Sequence, residues 1–88
     1  MTKPKKLNIL EEANQITHAD RQKMYGPPKN NMEHIAKVSS ALLEKNITSK
    51  DIVMIMIATK LCREQFKSKR DNLVDIAGYT WILDELKK

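Results

Sequence analysis

Apolar residues recur every three or four positions in four segments of this chain, at about 9–23, 32–43, 50–67 and 71–86. This spacing places the apolar side chains on one face of a helix. No segment alternates apolar and polar residues as a half-buried strand does. Because the connections between the segments are short, the pattern predicts an all-α fold, a compact four-helix bundle.

The third segment contains the longest apolar run, Ile52–Ile57, and continues with Lys60, Arg63 and Glu64. A helix that is apolar around its whole circumference must be covered on all sides. We therefore expect the helix at about 50–67 to be the central one. A chain of this length buries only about 60% of its unfolded surface, so part of the cover is expected from a second subunit in a homo-oligomer.

Residues that favour helix ends separate the four segments. Gly26-Pro27-Pro28 interrupts any helix that precedes it, because glycine allows a left-handed turn and proline lacks an N–H donor. The predicted helix starts are Asn8 with Glu11, Asn30 or Asn31, Thr48 with Asp51, and Asp71. Residues 1–7 are expected to form a flexible arm and residues 8–88 a single helical domain.

Composition limits the possible partners and location. The net charge is +5, but five lysines lie in the first six and last two residues, and without them the charges balance. With only four aromatic residues as well, a nucleic-acid groove with several stacking platforms is not expected. No apolar stretch approaches the ~20 residues that span a bilayer. The single cysteine, Cys62, is typical of a protein in a reducing cytosol, so the expected location is cytoplasmic, without membrane contact.

The fourth segment carries an ionisable residue where apolar ones prevail. Asp71, Asp75 and Tyr79 are spaced at i, i+4 and i+8 and share one helix face. A carboxylate on a mostly apolar helix must be paired or hydrogen-bonded, and the candidate partners are Lys60 and Arg63 on the preceding helix. The group is either a structural ion pair or a mixed-charge pocket for a phosphate-bearing ligand or a metal, and the two can coexist.

A second polar group precedes the glycine–proline turn, at Asp20, Arg21, Tyr25 and Gly26. One interpretation is a helix end with an Asp–Arg pair and a turn. The other is a segment that brings Arg21 and Tyr25 over the pocket, because arginine matches phosphate oxygens and tyrosine stacks on a base.

Four motifs, in order, resemble one known family. They are Asp20-Arg21, Tyr25-Gly26-x-Pro28, Lys60-x-x-Arg63-Glu64 and Asp71-x-x-x-Asp75-x-Ala77-x-Tyr79. The chain resembles a family of small helical phage and prophage proteins of unknown function. That family is similar to the nucleotide-modification-associated domains and, more remotely, to the MazG-like all-α nucleotide pyrophosphohydrolases. MazG-like enzymes hold magnesium with E-x-x-E and E-x-x-D pairs. Here Asp71 and Asp75 are spaced at i, i+4, and Glu64 has no acidic partner at three-residue spacing, which counts against such a cluster.

Three functions follow as hypotheses. The first is a phage accessory protein that binds a nucleotide or another phosphate-bearing small molecule without a cofactor; the phage-like resemblance suggests that it sequesters a host immune signalling nucleotide. Asp75 would orient the arginines of this site, whose expected residues are Asp20, Arg21, Tyr25, Gly26, Lys60, Arg63, Asp75 and Tyr79. The alternative is a magnesium-dependent nucleoside triphosphate pyrophosphohydrolase with Glu64, Asp71 and Asp75 as metal ligands. The third is an inhibitor that binds a host replication or defence protein through its helical surface.

Overall fold

The computed structural model describes residues 6–88, which include the whole predicted domain at 8–88. Most of the predicted arm at residues 1–7 lies outside the described residues. The helices are α1 (Ile9–Gln15), α2 (Arg21–Tyr25), α3 (Pro28–Leu43), α4 (Ser49–Phe66) and α5 (Arg70–Glu85), and a π-helical turn (Ile16–Asp20) joins α1 to α2 without a break. Together α1, the π-helical turn and α2 form one continuous rod, called here the first rod. With α3, α4 and α5, residues 6–88 thus form four helical rods and no strand. The predicted all-α fold with four helices is confirmed.

Two of the four rods begin with the predicted capping boxes. The side chain of Asn8 accepts from the backbone N–H of Glu11 at 2.8 Å, and the Glu11 carboxylate accepts in return from the N–H of Asn8 at 3.1 Å. Thr48 and Asp51 make the same reciprocal pair at the start of α4. Each cap contributes about 1 kcal/mol to the stability of its helix.

The other two rods begin earlier than the sequence predicts. α3 begins at Pro28 instead of following Asn30 or Asn31, because proline at the first position already has a helical φ. Gly26, with φ of 78°, provides the left-handed turn that separates α2 from α3. α5 begins at Arg70 instead of following Asp71, and the N–H of its N-cap Lys69 donates to the Glu64 carboxylate of α4.

α5 contacts three of the other helices and has the most buried residues. It packs along α4 and α1 and touches α3. Six of its residues are buried, whereas α4 buries three. The main apolar cluster joins α3, α4 and α5 and consists of Met32, Ala36, Ile52, Val53, Tyr79 and Ile82.

The π-helical turn lies directly against α5. Thr17 in this turn is buried, and a Cβ added to Gly78 would lie 2.9 Å from the Thr17 hydroxyl oxygen. In an α-helix, residues four apart are offset by about 40°, and the wider π turn removes part of that offset. Ala13, Thr17 and Arg21 therefore stay on the side of the first rod that faces α5.

α4 is not enclosed by the described residues. Among them, α3 and α5 pack extensively against it, and Met54, Ile55 and Leu61 are each at least half exposed. Residues 6–88 of one chain therefore do not give this helix the cover on all sides that the sequence led us to expect. Across the described residues, no helix combines the length and apolar content that crossing a membrane requires.

Candidate functional site

A buried carboxylate, Asp75, lies between two cations from different helices. Its side chain is 3% exposed, with Oδ1 2.8 Å from Nη2 of Arg21 and Oδ2 2.6 Å from Nζ of Lys60. The Lys60 amine also lies 3.8 Å from the exposed carboxylate of Asp71. Each oxygen of Asp75 therefore has its own cationic partner, which is the arrangement that a buried charge requires.

Arg21 is held in place by a second residue of α5. Its Nη1 is 3.4 Å from the hydroxyl oxygen of Tyr79, and its guanidinium carbon lies 5.9 Å from the centre of the Tyr79 ring. Partial burial acts to lower the pKa of Arg21, but the negative charge of Asp75 and the contact with Tyr79 outweigh it, so the pKa is raised above its usual value. The guanidinium is thus both charged and fixed in orientation.

Arg21 also borders a cavity of about 400 Å³. The cavity lies between the first rod, α3, α4 and α5, and Met32, Met56 and Ile82 contribute to its apolar wall. Among the described residues that line it, Arg21 is the only charged one. The other polar groups of its lining are Thr17, Tyr25, Asn31 and Tyr79, and Gly26 also borders it.

The two tyrosines of the predicted site differ in accessibility. Tyr79 is buried and engaged with Arg21, whereas Tyr25 is 60% exposed at the rim of the cavity. Of the two, Tyr25 is the ring free to stack on a ligand. Asp20 lies in the π-helical turn by its backbone, but its side chain falls outside the part of the chain that the structure describes.

Arg63 is not among the cations that pair with Asp75. Lys60 and Arg63 were both expected to meet Asp75, but only Lys60 does. Residues three apart on a helix point about 60° away from each other. Arg63 is instead exposed and borders a second cavity of about 390 Å³ at the α4–α5 turn. The other residues that line this cavity are Lys60, Phe66, Lys67, Lys69, Asp71 and Asn72.

The three acids of the magnesium hypothesis do not form one ligand set. Both oxygens of Asp75 are paired with cations, and Glu64 accepts hydrogen bonds from the Ser68 hydroxyl, the Lys69 N–H and the Asn72 side chain. These hydrogen bonds lower the pKa of Glu64; the bond from Ser68 has the largest effect, followed by those from Lys69 and Asn72. No group of three or more potential metal ligands occurs among the described residues. Glu64 instead stabilises the turn between α4 and α5.

Three residues near the site were not singled out from the sequence. Thr17 and Asn31 line the cavity, and Gly78 allows the π turn to approach α5. The sequence does carry a signal for Thr17. Ala13, Thr17 and Arg21 are spaced at i, i+4 and i+8, which places Thr17 on the same helix face as Arg21. Asn31 was instead interpreted as a helix cap.

A family described as a domain of unknown function, DUF6378, matches residues 8–87. The chain belongs to this family. Among curated proteins it is 38% identical over 80 residues to the Gene 55 protein of Mycobacterium phage D29, covering 90% of this chain and 53% of that protein. It is 32% identical over 83 residues to the Gene 55 protein of Mycobacterium phage L5, covering 92% of this chain and 53% of that one. The chain thus spans about half the length of these relatives, and no solved structure matches it.

These matches identify a small phage domain of unknown function. The resemblance to small phage proteins that the motifs suggested is therefore confirmed at the level of the family. The similarity to nucleotide-modification-associated domains and to MazG-like enzymes stays a prediction.

Proposed function

We propose that this phage domain binds a nucleotide-like, phosphate-bearing small molecule in the cavity beside Arg21. The observation that carries the proposal is a guanidinium fixed by a buried carboxylate at 2.8 Å, in the wall of a cavity of about 400 Å³. Small-molecule sites are commonly apolar cavities of about 300–1,000 Å³ with a few fixed polar groups.

The phosphate is assigned to Arg21. Asp75 and Tyr79 each accept one hydrogen bond from the guanidinium, which has five N–H donors in all, and Arg21 lines the cavity. Because Asp75 is 3% exposed, a ligand phosphate meets the cation and not the acid. A guanidinium fixed before binding loses little rotamer freedom when the ligand arrives.

The base and sugar are assigned to the remainder of the cavity. Tyr25 at the rim can stack on a base, and the Asn31 amide can both donate to and accept from the edge of the base. Met32, Met56 and Ile82 offer an apolar wall against the ring. A phage protein that held a signalling nucleotide of its host in this way would lower the free concentration of that nucleotide.

Isothermal calorimetry with mono-, di-, tri- and cyclic nucleotides tests the proposal. Arg21→Gln should weaken binding by roughly 10- to 100-fold, since a hydrogen bond to a charged group contributes about 1.5–3 kcal/mol. Arg70→Gln is the matched control, because it removes the same charge from an exposed arginine paired with Glu12 outside this cavity. The proposal fails if no nucleotide binds, or if Arg21→Gln binds as tightly as the unmodified protein.

Chemical recovery of the ligand distinguishes sequestration from hydrolysis. We expect bound triphosphate to be recovered intact by chromatography, with and without magnesium. Release of pyrophosphate in the presence of magnesium would instead support the pyrophosphohydrolase alternative.

A further inference from the structure

One side of α4 carries an uncharged strip that no residue of the described range 6–88 covers. The strip, called here the outer strip, consists of Met54, Ile55, Ala58, Leu61, Cys62 and Gln65, all of them exposed. At 100° per residue these positions fall within an arc of about 120°. Phe66, which is 93% exposed, lies at its edge. A contiguous apolar surface of this kind is typical of an interaction site.

We infer that two copies of this chain associate through the outer strip, with their α4 helices antiparallel and a two-fold axis near Ala58. Met54, Ile55 and Leu61 are 50%, 55% and 56% exposed, so with Phe66 they offer much of their surface for burial. We estimate that the strip and Phe66 bury roughly 500 Å² per copy, or about 1,000 Å² in all, which reaches the lower bound of a specific interface. The small Ala58 at the centre allows the two helix axes to approach to about 8 Å.

The charges along α4 favour a second copy in the antiparallel orientation. The chain carries a net charge of +5, yet the strip contains no lysine or arginine, so two copies meet here without opposing their cations. Asp51 lies on the same face at the N-terminal end, and Gln65 lies at the C-terminal end. A parallel pair would place Asp51 against Asp51 of the second copy. In an antiparallel pair Asp51 meets the amide of Gln65 of the second copy, and the helix dipoles oppose each other.

Sedimentation equilibrium of the whole chain tests the association. We expect a mass close to twice that of the 10.2 kDa chain at roughly 0.2 mM, because a dimer with a dissociation constant of about 1 µM is almost fully formed at that concentration. Leu61→Lys should reduce this mass to that of one chain. Leu42→Lys is the matched control, since it makes the same change at another exposed leucine, 78% accessible, on α3 outside the outer strip. Circular dichroism should show the same helix content in both variants.

Two outcomes of this experiment overturn the inference: a single-chain mass for the unmodified protein, or a dimer that persists in a folded Leu61→Lys variant. The calorimetric test of nucleotide binding is independent of these two outcomes, because the outer strip and the cavity do not share residues.

Disulfide cross-linking tests the orientation in a Cys62→Ser background. Ala58→Cys lies near the proposed axis and should form a disulfide dimer on oxidation, because its partner cysteine is within reach. Gln65→Cys should form none, since in the antiparallel pair the two copies of this position are about 21 Å apart. Cross-linking through Gln65→Cys, or its absence through Ala58→Cys, would refute the proposed arrangement.

Discussion

Removing the charge of Asp75 should destabilise the protein strongly. Asp75→Asn keeps the size of the side chain but leaves Lys60, whose side chain is 11% exposed, without the carboxylate that lies 2.6 Å away. Loss of one partner of a buried ion pair typically costs 3–5 kcal/mol. Arg21 is 39% exposed and can turn to water, and Asp71 stays 3.8 Å from the Lys60 amine. We therefore expect the lower end of that range, about 3 kcal/mol.

Equilibrium unfolding in urea measures this loss. The midpoint should fall at an unchanged slope, because the surface exposed on unfolding is nearly the same. Asp84→Asn, which removes an exposed acid from the same helix, is the control and should change stability by no more than about 0.5 kcal/mol.

A second substitution tests the stated cause. Lys60→Met added to Asp75→Asn should recover a large part of the lost stability, because it removes the ammonium that has no partner. The reasoning is refuted if Asp75→Asn alone costs less than about 1 kcal/mol, which would mean that water already solvates the carboxylate. It is equally refuted if the double variant is less stable than Asp75→Asn.

Three other expectations follow from the contacts described above. Gly78→Ala should destabilise the protein by about 1–3 kcal/mol, since the new methyl group would lie 2.9 Å from the Thr17 hydroxyl, and Thr17→Ala in the same chain should recover part of this in thermal unfolding. Thr48→Ala should cost about 1 kcal/mol by loss of the cap on α4, seen as a lower unfolding midpoint, whereas an unchanged midpoint would show that the cap is dispensable. Because the folded-state pKa of Glu64 lies below its usual 4.5, its contribution is complete above that pH and is lost as the pH falls through the folded value. The free energy of unfolding should therefore fall less steeply below about pH 4.5 in Glu64→Gln than in the unmodified protein. Equal slopes in the two proteins would contradict this role of Glu64.

The sequence by itself determined the features that depend on neighbouring residues. The helix starts at Asn8 and Thr48 were predictable because each cap joins groups only three positions apart. The need of Asp75 for a cationic partner was also predictable, since a carboxylate on an apolar helix cannot stay unpaired. The start of α3 at Pro28 had a local signal too, but the asparagines that follow were given more weight.

Only the tertiary structure decided which cations meet Asp75 and which surface of α4 stays exposed. Lys60 and Arg63 are candidate bases on the same helix, and which of them meets Asp75 depends on how α4 is rotated against α5. Arg21 reaches Asp75 because the π turn and Gly78 allow the first rod to lie close to α5. The exposed outer strip follows from how many helices surround α4, which its own apolar residues do not specify. Local patterns record what each side chain requires, whereas the packing of distant segments determines which groups supply it.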